Sequence, residues 1–92
     1  MRDISAASVR RFLLAKYCEP IEALGLTSAD LPDSFDLLLN GVIDSFGILE
    51  MISALEREFR IELDLATLDA EQVTILGPLS RYVAENAKPR SD

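Results

Sequence analysis

From Asp44 to Arg60 the chain carries the pattern that most constrains its fold. Phe46, Leu49, Ile52, Leu55 and Phe59 recur at spacings of three and four, supplemented by Ile48 and Met51. Such spacing puts the apolar residues on one face of an α-helix. Asp44 and Ser45, both favourable N-cap types, stand directly before the stripe, and Gly41 breaks whatever precedes them. A helix is therefore predicted from Ser45 to about Arg60, with its stripe turned toward a core that other elements must supply.

Those elements are legible on either side. Val9, Phe12, Leu13, Lys16 and Tyr17 share a helical stripe with the arginines opposite, which predicts a first helix from about Ile4 to Tyr17, with Pro20 beyond its stop. Glu19 to Asp44 holds Pro20, Gly25, Pro32, Asn40 and Gly41 and reads as a long loop with at most one short helical turn. Ile21, Leu24, Leu26, Leu31, Phe35, Leu37, Leu38 and Leu39 are the anchors expected to lay it across a bundle. The pattern leaves open whether Phe35 to Leu39 adds a helical turn. Ile61 to Leu65 alternates like a strand but has no evident partner, so an extended connector is expected. A short helix is read over Leu68 to Val73, and a last helix with Thr74 as N-cap runs to about Asn86, with Pro78 tolerated in its first turn. Lys88 to Asp92 reads as a frayed tail. The expected fold is all-α: three main helices, one short helix and a long loop after the first. Residues 1–88 form the domain and 89–92 a flexible tail.

Bulk properties narrow the function. A chain of 92 residues, 49% hydrophobic and 27% charged, suits a single globular domain. The net charge of −7 argues against nucleic acid, whose phosphates need a basic face. Glu19 to Glu56 contains eight carboxylates and no Lys or Arg, so the middle of the chain is expected to be an acidic surface for basic partners. Cys18 is the only cysteine and there is no histidine, so neither an internal disulfide nor a zinc site is expected. Asp30, Asp33 and Asp36 lack the ligand spacing of a calcium loop, and no metal site is assigned. No apolar run is long enough to span a bilayer and no h-region follows Arg2, so a cytoplasmic location without membrane insertion is expected.

The residues that bear chemistry are Asp44-Ser45-Phe46. A serine where a loop meets a helix N-terminus can present its hydroxyl to a modifying enzyme. The free amides and the positive end of the helix dipole there favour a phosphate ester. The run Gly41-Val42-Ile43-Asp44-Ser45-Phe46-Gly47-Ile48-Leu49-Glu50-Met51-Ile52, followed by Glu56-Arg57-Glu58-Phe59 and Ile61, resembles the attachment motif and second helix of acyl carrier proteins. The similarity covers about Leu37 to Ala87, while the first helix matches in character alone. The resemblance implies an acyl-carrier-protein-like bundle in which Ser45 covalently holds 4′-phosphopantetheine, derived from coenzyme A and transferred by a separate, magnesium-dependent phosphopantetheinyl transferase. It further implies that Asp44 helps the transferase dock. Glu50 and Glu56 then lie on the face read by acyl- or aminoacyl-loading and processing enzymes with basic docking surfaces. Ile48, one turn after Ser45, is an expected apolar contact for a partner. A monomer in lipid or secondary-metabolite synthesis is expected.

Two departures bear on cargo. Phe46 stands where leucine is usual, and Gly47 is a poor helix former in a first turn, costing about 1 kcal/mol relative to alanine. A close approach of another group is one reason for a glycine there. Asp-Ser-apolar-Gly is similar to D-alanyl carrier proteins, which keeps an aminoacyl cargo as the alternative to an acyl chain. Asp33-Ser34-Phe35 repeats the tripeptide without a following stripe and is read as a loop or short-helix cap. With no histidine base, no glycine-rich phosphate loop and only an adjacent aspartate beside Ser45, no catalytic residue is assigned. An unmodified acidic helical interaction module is the alternative from a different class.

Overall fold

The computed structural model describes residues 4–64, 66 and 73–89, and it is mostly helical. Four α-helices, α1 (Ala6–Lys16), α2 (Cys18–Ala23), α3 (Ser45–Phe59) and α4 (Leu76–Asn86), surround one apolar core, with a 3₁₀ turn at Ser28–Asp30 and a two-stranded ribbon of β1 (Ile61–Glu62) and β2 (Lys88–Pro89). The small all-α bundle read from the periodicity is the fold observed.

Helix α1 begins at Ala6 rather than near Ile4, because Ser5 and Ser8 close a reciprocal capping box: each side-chain oxygen accepts the other's backbone amide, at 3.1 and 2.9 Å. It packs along α4, burying Val9 and Leu13. Pro20 does not lie beyond a stop. The chain turns at Tyr17 and at once restarts as α2, where Pro20 falls in the first turn, a place where its missing N–H costs no helical bond. The following loop is held by Ile21, Leu31, Phe35 and Leu37, all buried, whereas the other expected anchors, Leu24, Leu26, Leu38 and Leu39, are exposed. Phe35 to Leu39 is not helical. Asp36 forms an isolated bridge with Ile75, and its carboxylate accepts the amides of Leu38 and Leu39 at 2.9 and 3.1 Å.

Pairing with that loop sets the start of α4 at Leu76 with Ile75 as its N-cap, one residue after the expected cap at Thr74. The Leu37 amide donates to the Thr74 carbonyl (2.8 Å), Leu76 to Phe35 (2.9 Å) and Gly77 to Asp33 (2.9 Å). Loop carbonyls thus satisfy the first amides of α4, Pro78 has none to satisfy, and no side-chain cap is present. Two expectations at the far end are corrected. Ile61–Glu62 does have a partner, because Lys88–Pro89 pairs with it antiparallel, and Lys88 and Pro89 are therefore not frayed; the rest of the expected tail lies outside the described residues. The Tyr82 hydroxyl donates to the Asp64 carbonyl (3.1 Å) and joins α4 to the chain after β1. The short helix expected over Leu68 to Val73 lies outside the described residues except for Val73, which is buried in a turn.

Candidate attachment site at the start of helix α3

Helix α3 has the predicted bounds, but its buried face is rotated from the expected stripe. Met51, Ile52, Leu55 and Phe59 are buried and Ile48 packs against them, while Phe46 is 83% and Leu49 60% exposed. Ile48, Met51, Ile52, Leu55 and Phe59 form a sufficient helical stripe by themselves. That completeness is the sequence signal that places Phe46 and Leu49 on the outside.

The segment before Ser45 is pinned from behind. Gly41 takes φ 76°, a left-handed turn open to glycine, and the carbonyl of Leu37 then accepts both Val42 and Ile43 amides at 2.9 and 3.1 Å. Ile43 is buried, which anchors the chain one residue before the helix cap. Of the two candidate caps, Asp44 is the one used: its Oδ1 accepts the Gly47 amide at 2.7 Å. Ser45 is consequently the first helical residue, exposed, and among the described residues no hydrogen bond engages its hydroxyl. The place of Gly47 is also explained. A Cβ there would stand 3.2 Å from the Ile43 Cβ and 3.3 Å from Asp44 Oδ1, crowding the cap and the anchor together.

The other expected partner residues lie farther along α3 and make contacts of their own. Glu50 is salt-bridged to Lys16 at 3.0 Å. Glu56 accepts the amide of Leu63 at 2.9 Å, closing the turn after α3. Ile48 is half-buried against the core. Asp44 and Phe46 beside Ser45 are exposed, as is Leu49 one turn on. The Tyr17 hydroxyl is buried beside the Glu50 carboxylate. Burial, with the nearby Glu50 carboxylate adding to it, pushes its pKa up to about 12.

Asp33-Ser34-Phe35 is built differently. Asp33 is held by Arg10 at 2.6 Å and Arg81 at 3.5 Å, Arg10 also donates to the Leu31 carbonyl, and Ser34 sits in a turn that no helix follows. The same tripeptide thus serves as a loop clasp at one position and a helix start at the other.

A phosphodiester on Ser45 fits these surroundings in access and in dipole. The hydroxyl faces solvent, and the positive end of a helix of 15 residues lies beneath it. Comparison with protein-family models, with curated proteins and with solved structures finds no match to this chain. Among the described residues no helix is long and apolar enough to cross a membrane.

Proposed function

We propose that this chain is a carrier domain that accepts 4′-phosphopantetheine on Ser45 and presents a thioester-bound acyl group to partner enzymes in lipid or secondary-metabolite synthesis. The observation that supports this reading best is the division of labour at the start of α3, where Asp44 caps the helix and the neighbouring serine hydroxyl is left exposed. In the transfer, Ser45 Oγ forms a bond to the phosphorus of the pantetheine phosphate. The bond from that phosphorus to the nucleotide part of coenzyme A breaks, and the hydroxyl proton goes to a base on the transferase. Once attached, the arm supplies a terminal thiol that holds cargo as an activated thioester. The part of this chain is to keep the serine presented: Gly41, Leu37 and Ile43 fix the approach, and the Asp44 cap fixes the first turn. A transferase that docks here meets Asp44 and Phe46 directly beside the reacting oxygen.

Acyl, polyketide and aminoacyl cargoes share this attachment chemistry, and loading assays with activating ligases separate them. The reading also carries a cytoplasmic location and a monomeric carrier. Intact mass after incubation with coenzyme A and a broad-specificity phosphopantetheinyl transferase tests it. One added arm is expected for the wild type and for Ser34→Ala, and none for Ser45→Ala. No added mass on the wild type leaves the unmodified interaction module as the function.

A further inference from the structure

Seven consecutive backbone amides, from Leu37 to Ile43, lead up to the start of α3, and each has an acceptor. Three of the seven go to Asp36. Its Oδ1 accepts Leu38 and Leu39 at 2.9 and 3.1 Å, and its carbonyl accepts Asn40 at 3.1 Å, with the Asn40 side-chain amide adding a bond there at 2.8 Å. Gly41 then donates to the Leu38 carbonyl at 3.1 Å, and Val42 and Ile43 both donate to that of Leu37. Side-chain packing does not account for this order, because Leu38, Leu39 and Asn40 are exposed. Exposed backbone solvated by water alone samples many turn conformations, whereas a carboxylate oxygen that accepts successive amides selects one. The turn also has a fixed base. Asp36 is bridged to Ile75, the N-cap of α4, through the Leu37 amide on Thr74 and the Leu76 amide on Phe35. At its other end buried Ile43 stands directly before the Asp44 cap.

We propose that Asp36 is a positioning residue for the modification of Ser45. It sets the turn from Leu37 to Gly41, the turn delivers the Leu37 carbonyl to Val42 and Ile43, and those bonds hold Asp44 and Ser45 against the base that α4 provides. The inference rests on the carrier reading and gives that reaction a residue that acts through the backbone rather than on the reacting atoms. A serine presented correctly for only a fraction of the time is modified at a correspondingly reduced rate. This part differs from recognition of an acidic surface. A carboxylate read by a basic enzyme works through its charge, whereas one that organises a turn works through an acceptor oxygen, which asparagine retains.

Transfer of the arm from coenzyme A by a broad-specificity phosphopantetheinyl transferase tests the proposal, read as kcat/KM for the full chain well below every unfolding midpoint. Asp36→Ala should lower kcat/KM about tenfold, and Asp36→Asn, whose carbonyl oxygen can accept both amides, should stay within about threefold of the wild type. Hydrogen exchange at the Val42 and Ile43 amides should quicken in the alanine variant and not in the asparagine one. Val83→Ala opens the buried core roughly 10 Å along α4 from Leu76 and should lower the midpoint while leaving kcat/KM unchanged. Equal rates for Asp36→Ala and the wild type overturn the inference and leave the carrier reading standing. An asparagine variant as slow as the alanine one overturns it too, since the transferase then reads the charge. So does an equal loss in Val83→Ala, which ties the rate to global stability. Should Asp36→Ala not fold, Asn40→Ala removes the side-chain bond to Asp36 alone and should lower kcat/KM by a smaller factor; an unchanged rate there overturns the inference. A wild type that accepts no arm overturns the carrier reading and this inference together.

Discussion

Asp33 fills the space that a side chain at residue 77 needs: a Cβ built on Gly77 would stand 2.6 Å from the Asp33 Cβ and 2.9 Å from its Cγ. The same glycine donates its amide to the Asp33 carbonyl at 2.9 Å, and Arg10 of α1 and Arg81 of α4 hold the carboxylate. The long loop, the first helix and the last helix thus meet at one contact that tolerates no added methyl.

Gly77→Ala should therefore destabilise the fold by about 1–3 kcal/mol, the usual range for overpacking, even though alanine is the better helix former by about 1 kcal/mol. Urea unfolding reads the effect as a lower midpoint at unchanged slope. A raised midpoint shows that the loop yields and that the contact is not tight.

The two candidate caps should separate in stability. Asp44→Ala removes the acceptor of the Gly47 amide and should cost about 1 kcal/mol, whereas Ser45→Ala should stay within about 0.5 kcal/mol of the wild type. Paired thermal melts measure both. Loss of Ser45 modification in a variant that remains this stable cannot be assigned to unfolding.

Glu56 should register in stability as well. Its carboxylate accepts the amide of buried Leu63, so Glu56→Ala should cost about 1–3 kcal/mol through an unsatisfied donor, while Glu56→Gln keeps an acceptor and should recover most of that loss. Hydrogen exchange at the Leu63 amide should quicken in the alanine variant alone.

Tyr17 carries a pH dependence whose sign follows from its burial. Its folded pKa of about 12 lies above the ordinary phenol value of 10.0, so the unfolded chain gives up the proton first as pH rises. The contribution is fully present below pH 10 and is lost as pH climbs from 10 to about 12. In Tyr82→Phe, absorbance of the remaining phenol should titrate near the upper value. Tyr17→Phe should abolish this alkaline loss and shift neutral-pH stability by no more than about 1 kcal/mol, since the hydroxyl it deletes is buried with the Glu50 carboxylate beside it.

Helix α3 was legible almost to the residue because local signals agree there: an N-cap type, a complete 3.6-residue stripe and a glycine turn before it. The candidate site was legible for the same reason, since Ser45 and Asp44 are placed by that helix start alone. The N-cap of α4 falls at Ile75, one residue past Thr74, and its first amides are satisfied by Phe35 and Asp33, some forty residues away and invisible to local pattern. Likewise β1 has as its partner a segment whose polar composition carries no strand signal.

By itself the sequence determined what depends on neighbours along the chain: helix periodicity and a helix start at Asp44-Ser45, with the structure choosing Asp44 as the cap. Tertiary structure decided which residues are consumed by contacts far apart in sequence. It paired Glu50 with Lys16 and Glu56 with the Leu63 amide, clasped Asp33 between two arginines, and left Phe46 and Leu49 facing outward. The reason is physical: a helical stripe specifies an apolar face through spacing, but only the packing of other elements decides how wide a face is covered.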